Sequence, residues 1–282
     1  MIELNNVTKT FWGNTTALKG LSLKLPEQGI YCLVGRNGAG KTTLFRLIAG
    51  HITASEGTVT VNGKVVSGGR IATDVHYLVS GAKHFNMNVV DLINTASALQ
   101  DGFDRDFAFK MVKAMSLKKR ISYEYLSLGM KTMVSTILSL ASNAKVILLD
   151  EPTLGLDAIV RSQFNSLLLE RYQNNPSLIV VSTHLIDEIS KVAEYLVVLN
   201  KGKIAAEIRM DEIDEKAYSL SGPTQVVMPL IDGLNCIGQK TLESMTVAHI
   251  FDERITVPNS VRVDRLSPQD FFVSIIGGNK YE

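Results

Sequence analysis

The sequence predicts an α/β protein, and three stretches carry that reading. Residues 29–34 form an apolar run of the kind buried strands use, and a glycine-rich turn leads from them into the helical apolar spacing of residues 44–49. Residues 146–149 make a second such strand, which ends on the carboxylate pair Asp150-Glu151. Residues 178–182 make a third, ending at Thr183-His184. Ligands of open α/β sheets sit beyond the C-terminal ends of the strands, where the turn, the two acids and the histidine all fall.

The turn reads Gly35-Arg36-Asn37-Gly38-Ala39-Gly40-Lys41-Thr42-Thr43. It matches G-x-x-x-x-G-K-[ST] between a strand and a helix, the context in which that pattern marks a phosphate-binding loop. Gly35, Gly38 and Gly40 let the backbone fold into a nest of inward N–H groups, and the helix starting near Lys41 adds the positive end of its dipole. Lys41 supplies a point charge for the β- and γ-phosphates, and the Thr42 hydroxyl is a ligand type suited to Mg²⁺. The chain is therefore expected to bind a nucleoside triphosphate. Asp150 is expected to hold Mg²⁺ through its water shell, and Glu151 to orient and deprotonate the attacking water. A lone histidine is usually a structural hydrogen-bonder, but His184 shares its sheet end with Glu151 and is a candidate γ-phosphate contact.

At 282 residues the chain accommodates one large α/β domain plus a small appendage, and 45% apolar content supports a sizeable core. A net charge of +1 gives no basic field of the kind a nucleic-acid binder needs. The two cysteines, Cys32 and Cys236, suggest no disulfide framework and point to a reducing cytosol. The start of the chain lacks signal-peptide character, and no run approaches the ~18 apolar residues of a membrane span. Work at a membrane would require another chain to cross it.

Taken in order, residues 2–8 and 21–25 read as strands separated by a turn that carries Phe11 and Trp12. Trp12, the only tryptophan, is by itself equally well an edge-packing aromatic. Alternation around Asn62-Gly63 is a strong hairpin signal. Residues 71–79 give a strand and residues 89–120 read as mostly helical. Ser127 is a good N-cap for a helix running to about Ala141, and Gly129 frees amides in its first turn. Residues 195–199 and 203–208 close the series as strands. In the tail, residues 225–228, 246–251 and 261–263 read as short strands. Ser267 as N-cap and Pro268 at the first helical position mark a final helix.

With Lys41, the stretch 126–130, Asp150-Glu151 and His184 in this order, the chain closely resembles the ATP-binding subunit of ABC transporters over roughly residues 1–208. The resemblance implies an α/β P-loop ATPase core with an antiparallel β-subdomain and an inserted helical subdomain at about residues 85–140. It implies that Trp12 stacks on adenine, with Phe11 as the fallback, and that Ser127 and Gly129 meet the γ-phosphate of ATP held by a partner subunit. Asp157 matches the loop that couples the two sites, and His184 the switch histidine. Two positions depart from the family pattern. Leu128 and Met130 replace a glycine and a glutamine of the signature, and Ser80 stands where a glutamine is expected. The tail, residues 211–282, resembles the small α+β C-terminal domain of exporter-type ATPases that serve drug, peptide and polysaccharide export.

The expected protein is the Mg²⁺-dependent ATPase of an ABC exporter, with an ATP-binding domain over residues 1–210 and a small accessory domain over residues 211–282. It pairs with a second ATP-binding subunit under membrane-spanning permease subunits, peripheral to the cytoplasmic face of the cell membrane, and binds no nucleic acid. The competing classes are a soluble ATPase of the same family acting on a non-membrane target, and an ATP-binding module with little turnover. Glu151 and His184 argue against the last, while Ser80 argues weakly for it.

Overall fold

The computed structural model describes residues 1–66, 73–77 and 87–277. The chain opens with β1 (Ile2–Phe11) and β2 (Thr15–Leu25), an antiparallel pair joined by a turn in which Gly13 and Asn14 both adopt positive φ. The wholly buried β3 (Gly29–Val34) follows, then α1 (Lys41–Ile48). Next come β4 (Glu56–Val61) and β5 (Lys64–Val65), joined by Asn62 and Gly63 at φ 49° and 76°. Two successive positive φ values give the turn a twist that matches its strands. The expected strand at 71–79 contributes β6 (Val75–Tyr77), its outer residues 71–72 and 78–79 lying outside the described ones.

The 89–120 stretch resolves into two helices, α2 (Val89–Leu99) and α3 (Arg105–Ala114). Gly102, at φ 74°, breaks the chain between them, and Asp104 starts the second by accepting from Phe107 N at 2.9 Å. After α4 (Leu128–Ala141) come β7 (Val146–Asp150), α5 (Ala158–Asn174), β8 (Leu178–Ser182), the short α6 (Ile186–Ile189), β9 (Tyr195–Asn200) and β10 (Lys203–Arg209). The tail adds α7 (Met210–Lys216), β11 (Ala217–Pro223), α8 (Thr224–Ile231), β12 (Cys236–Leu242), β13 (Met245–Phe251), β14 (Arg262–Arg265) and α9 (Pro268–Gly277).

The central sheet runs β10-β9-β3-β8-β7-β6, parallel except for β10. Both its faces are covered, so its strands are apolar on both sides rather than alternating with polar residues. Ile30, Cys32, Val34, Ile147, Leu149, Ile179 and Val181 face the core that holds α2–α5. Tyr31, Leu33, Leu148, Val180 and Leu199 face α1 and the antiparallel sheet β2-β1-β4-β5. Burying each such side chain contributes roughly 1.5–3 kcal/mol. This layering holds the C-terminal ends of β3, β7 and β8 side by side.

The tail sheet runs β12-β13-β11-β14 and has a small core of its own around Tyr218, Leu220, Val227, Ala248 and Ile250. Residues 225–228, read from sequence as a strand, are helical. Val227 and Ile231, four residues apart, are buried, and α8 packs them on β11 and β13. A run of Val, Val and Met has strand character locally, but the four-residue spacing of its buried positions belongs to a helix. The final helix starts as expected, with Asp270 N donating to Ser267 Oγ at 3.0 Å.

Candidate functional site

The glycine-rich turn between β3 and α1 is closely fitted to its surroundings. A Cβ on Gly35 would lie 2.4 Å from Leu199 O, and one on Gly40 would lie 2.8 Å from Ala17 O and from Leu18 Cδ2. Gly40 also sits at φ 112° as the N-cap of α1, with no side-chain cap on the helix's first turn. The leading amides of α1 are thus left for an anion. Gly202 N donates to Ala39 O at 3.0 Å, so the β9–β10 turn buttresses the loop from behind. Arg36, Asn37 and Gly38 are exposed at its tip, with Thr43 half-buried beyond them. Lys41 Nζ donates to Gly35 O at 2.7 Å, which lays the ammonium across the loop.

Asp150 ends β7 directly beside this loop. Thr42 Oγ1 donates to its Oδ2 at 2.8 Å, Ser182 Oγ donates to its Oδ1 at 2.5 Å, and Tyr77 Oη lies 3.5 Å from Oδ2. Burial, with the charge of Asp150 next, pushes the Tyr77 hydroxyl pKa up, so it stays a protonated donor. Glu151 leaves the strand in a left-handed turn at φ 50°, its N–H donating to Ser182 O at 3.0 Å. Its Oε2 lies 2.9 Å from His184 Nδ1, the histidine side chain being about half exposed. Behind the site, burial raises the Cys32 thiol pKa, with Glu151 adding to the effect.

Ser127 caps α4, its Oγ accepting from Met130 N at 3.3 Å. A Cβ on Gly129 would lie 3.7 Å from Gly155 O, an ordinary contact, so the start of α4 rests against the loop that follows Glu151. Asp157 caps α5 and accepts from Ile159 N and Val160 N, both at 2.9 Å. Trp12 is fully exposed at the β1–β2 turn rather than packed at a sheet edge, and Lys9 Nζ lies 5.2 Å from the ring centre of Phe11. The structure therefore brings Lys41, Thr42, Asp150, Glu151 and His184 together. It groups Ser127 and Gly129 with the loop leading to Asp157. Ser80 lies outside the described residues.

Sequence reasoning missed Ser182 and Tyr77. Both contacts depend on strand register, Ser182 being the pairing partner of Asp150 across β7 and β8. The available signal was a hydroxyl ending an otherwise aliphatic strand beside a strand that ends in acids. The oxygen donors suit Mg²⁺, which takes one or two protein ligands and fills its octahedron with phosphate and water oxygens. The convergence of Thr42 Oγ1 and Asp150 Oδ2 at 2.8 Å offers such a pair. No group of three or more His, Cys, Asp or Glu suited to a metal occurs among the described residues.

A parallel sheet with a phosphate loop, an acidic strand end and a histidine beside it defines a P-loop nucleotide-binding ATPase. Residues 18–154 match the family described as ABC transporter. The chain is 30% identical over 225 residues to the taurine import ATP-binding protein TauB of Ruegeria pomeroyi, covering 76% of this chain and 83% of that one. It is 28% identical over 227 residues to the bacitracin transport ATP-binding protein BcrA of Enterococcus faecalis, covering 77% and 71%. Among solved structures, the dimeric post-hydrolysis state of the ATP-binding cassette MJ0796 bound to ADP and Pi shares the fold. Its TM-score is 0.63 at 24% identity, over 74% of this chain and 99% of that one. The chain belongs to the ATP-binding family of ABC transporters, and it is an ATPase. No helix among the described residues is long and apolar enough to cross a membrane.

Proposed function

We propose that this chain is the Mg²⁺-dependent motor of an ABC exporter, working as a pair of ATP-binding subunits beneath separate membrane-spanning permease subunits at the cytoplasmic face. Residues 1–210 are the ATP-binding unit, with a helical insertion near 85–140, and residues 211–282 are an accessory domain. Export of a peptide-like or drug-like substrate is favoured by the likeness to a bacitracin transport protein and by the tail.

The convergence of Thr42, Asp150, Glu151 and His184 on the mouth of the phosphate loop carries the reading. The loop amides and Lys41 hold the phosphate chain, and Arg36, Asn37, Gly38, Ala39 and Thr43 complete the cradle. Thr42 and Asp150 hold Mg²⁺, which supplies neutralisation of the developing phosphate charge. Glu151 keeps Oε2 against His184 and presents Oε1 to a water. It takes that water's proton as the oxygen bonds to the terminal phosphorus and the bridging P–O bond breaks, releasing ADP. His184 keeps Nε2 for the terminal phosphate. Trp12 stacks on adenine. Ser127 and Gly129 of one subunit close over the ATP of the other, and Asp157 lies in the loop linking the two sites.

Glu151→Gln tests the chemical assignment, because it keeps the shape and removes the base. Turnover is expected to fall ~10²–10⁴-fold while ATP affinity is retained. Near-normal hydrolysis would remove Glu151 from the role.

A further inference from the structure

We propose that Ser182 is a positioning residue for nucleotide-bound Mg²⁺, holding one oxygen of the Asp150 carboxylate so that the other faces Thr42 and the ion. The proposal rests on the reading of Thr42 and Asp150 as the metal-holding pair. Ser182 is fully buried at the end of β8, between β7 and β3, where Asp150 and Leu33 are its register partners. Its Oγ donates to Asp150 Oδ1 at 2.5 Å, the shortest of the three hydroxyl contacts to that carboxylate. Thr42, the second donor, holds the other oxygen, Oδ2, at 2.8 Å and keeps its lone pairs for the metal. Tyr77 Oη, the third, stands off at 3.5 Å. Ser182 is thus the donor on Oδ1, the oxygen that neither Thr42 nor Tyr77 holds.

A carboxylate held on one oxygen by a buried hydroxyl presents its other oxygen in one direction. An unheld carboxylate rotates, and the ion loses a fixed partner. The same residue also sets the neighbouring acid, because Ser182 O accepts from Glu151 N at 3.0 Å. Ser182→Ala leaves that backbone bond in place and removes only the hydroxyl, so its effect belongs to Asp150.

The test measures affinity for a fluorescent ATP analogue with Mg²⁺ and with EDTA, in wild type, Ser182→Ala and Asp150→Asn, with melting temperature as the check on folding. The wild type gains affinity from Mg²⁺. Ser182→Ala is expected to keep its EDTA affinity and lose ~10–100-fold of the Mg²⁺-dependent gain. Asp150→Asn is expected to lose that gain as well. If Asp150→Asn loses the gain and Ser182→Ala keeps it, the positioning role is overturned while the metal-holding pair stands. If Asp150→Asn keeps the gain, the metal reading fails and the proposal falls with it. If Ser182→Ala lowers both affinities equally, Ser182 is a structural residue only.

Discussion

At the scale of single residues, the environments of Trp12 and His76 each make a test. Trp12 is the only tryptophan and lies fully exposed on the β1–β2 turn, so its emission reports what covers it. Saturating ATP should shift that emission if the ring lies over adenine, a contact worth about 0.5–1.5 kcal/mol beyond area burial. An unchanged spectrum would pass the stacking role to Phe11.

His76 lies on β6, its Nδ1 3.2 Å from Ser139 Oγ, and burial pushes its pKa down to about 4. Asp74, Asp101 and Lys145 line the same cleft. The unfolded chain takes up this proton near the ordinary histidine value of ~6.5, and the folded chain only near about 4. As pH falls through that window the unfolded state binds more protons, so stability is lost. The melting temperature should therefore drop less between roughly pH 7 and pH 5 in His76→Gln than in wild type. Equal drops would show that His76 is not the group responsible.

At the scale of elements, the end of α4 depends on a cation from α5. Arg171 is buried, its Nε donating to Leu140 O at 2.7 Å and its Nη2 to Ser142 O at 3.1 Å, with Nη1 bonded to Asn175 O. The first two bonds satisfy carbonyls at the end of α4 and the third one at the end of α5, groups of the kind a helix terminus leaves unpaired. Desolvation lowers the Arg171 pKa, yet the guanidinium remains charged. Arg171→Ala should destabilise the chain by about 2–4 kcal/mol, measured by urea unfolding. A change within ~0.5 kcal/mol, typical of an indifferent surface site, would contradict that capping role.

The strands β3, β7 and β8 were legible from sequence because each is an apolar run leading into candidate site residues. The phosphate loop was legible because its glycines, Lys41 and Thr42 are contiguous. The contacts of Asp150 with Ser182 and Tyr77 were not, since 32 and 73 residues separate the partners and only strand pairing joins them. The tail was read least well. Its α8 carries strand-like residues and becomes helical through packing on β11 and β13. The short α7 and the strand β12 carry no strong local signal.

At the scale of the molecule, the tail has its own small core but does not stand apart. Phe271 of α9 is fully buried in the core beneath the central sheet, its ring centre 5.0 Å from that of Phe251. Gln269 N donates to Asp187 Oδ1 at 2.9 Å, which ties α9 to α6, the helix that begins two residues after His184. The start of α4 and the loop after Glu151 offer an exposed surface. Tyr125, Leu128, Leu154 and Ile159 all lie open around Ser127 and the loop after Glu151. Leu128, at the first turn of α4, adds apolar area there.

These exposed groups would be covered by a second subunit with ATP between the two chains. The most direct measurement is sedimentation of the Glu151→Gln protein with and without Mg-ATP, since blocked hydrolysis holds the closed state. The expected result is a monomer alone and a dimer with Mg-ATP, the dimer being lost when Ser127→Arg is added. A monomer at saturating Mg-ATP, or a dimer indifferent to both nucleotide and Ser127→Arg, would contradict ATP as the element that joins the two chains.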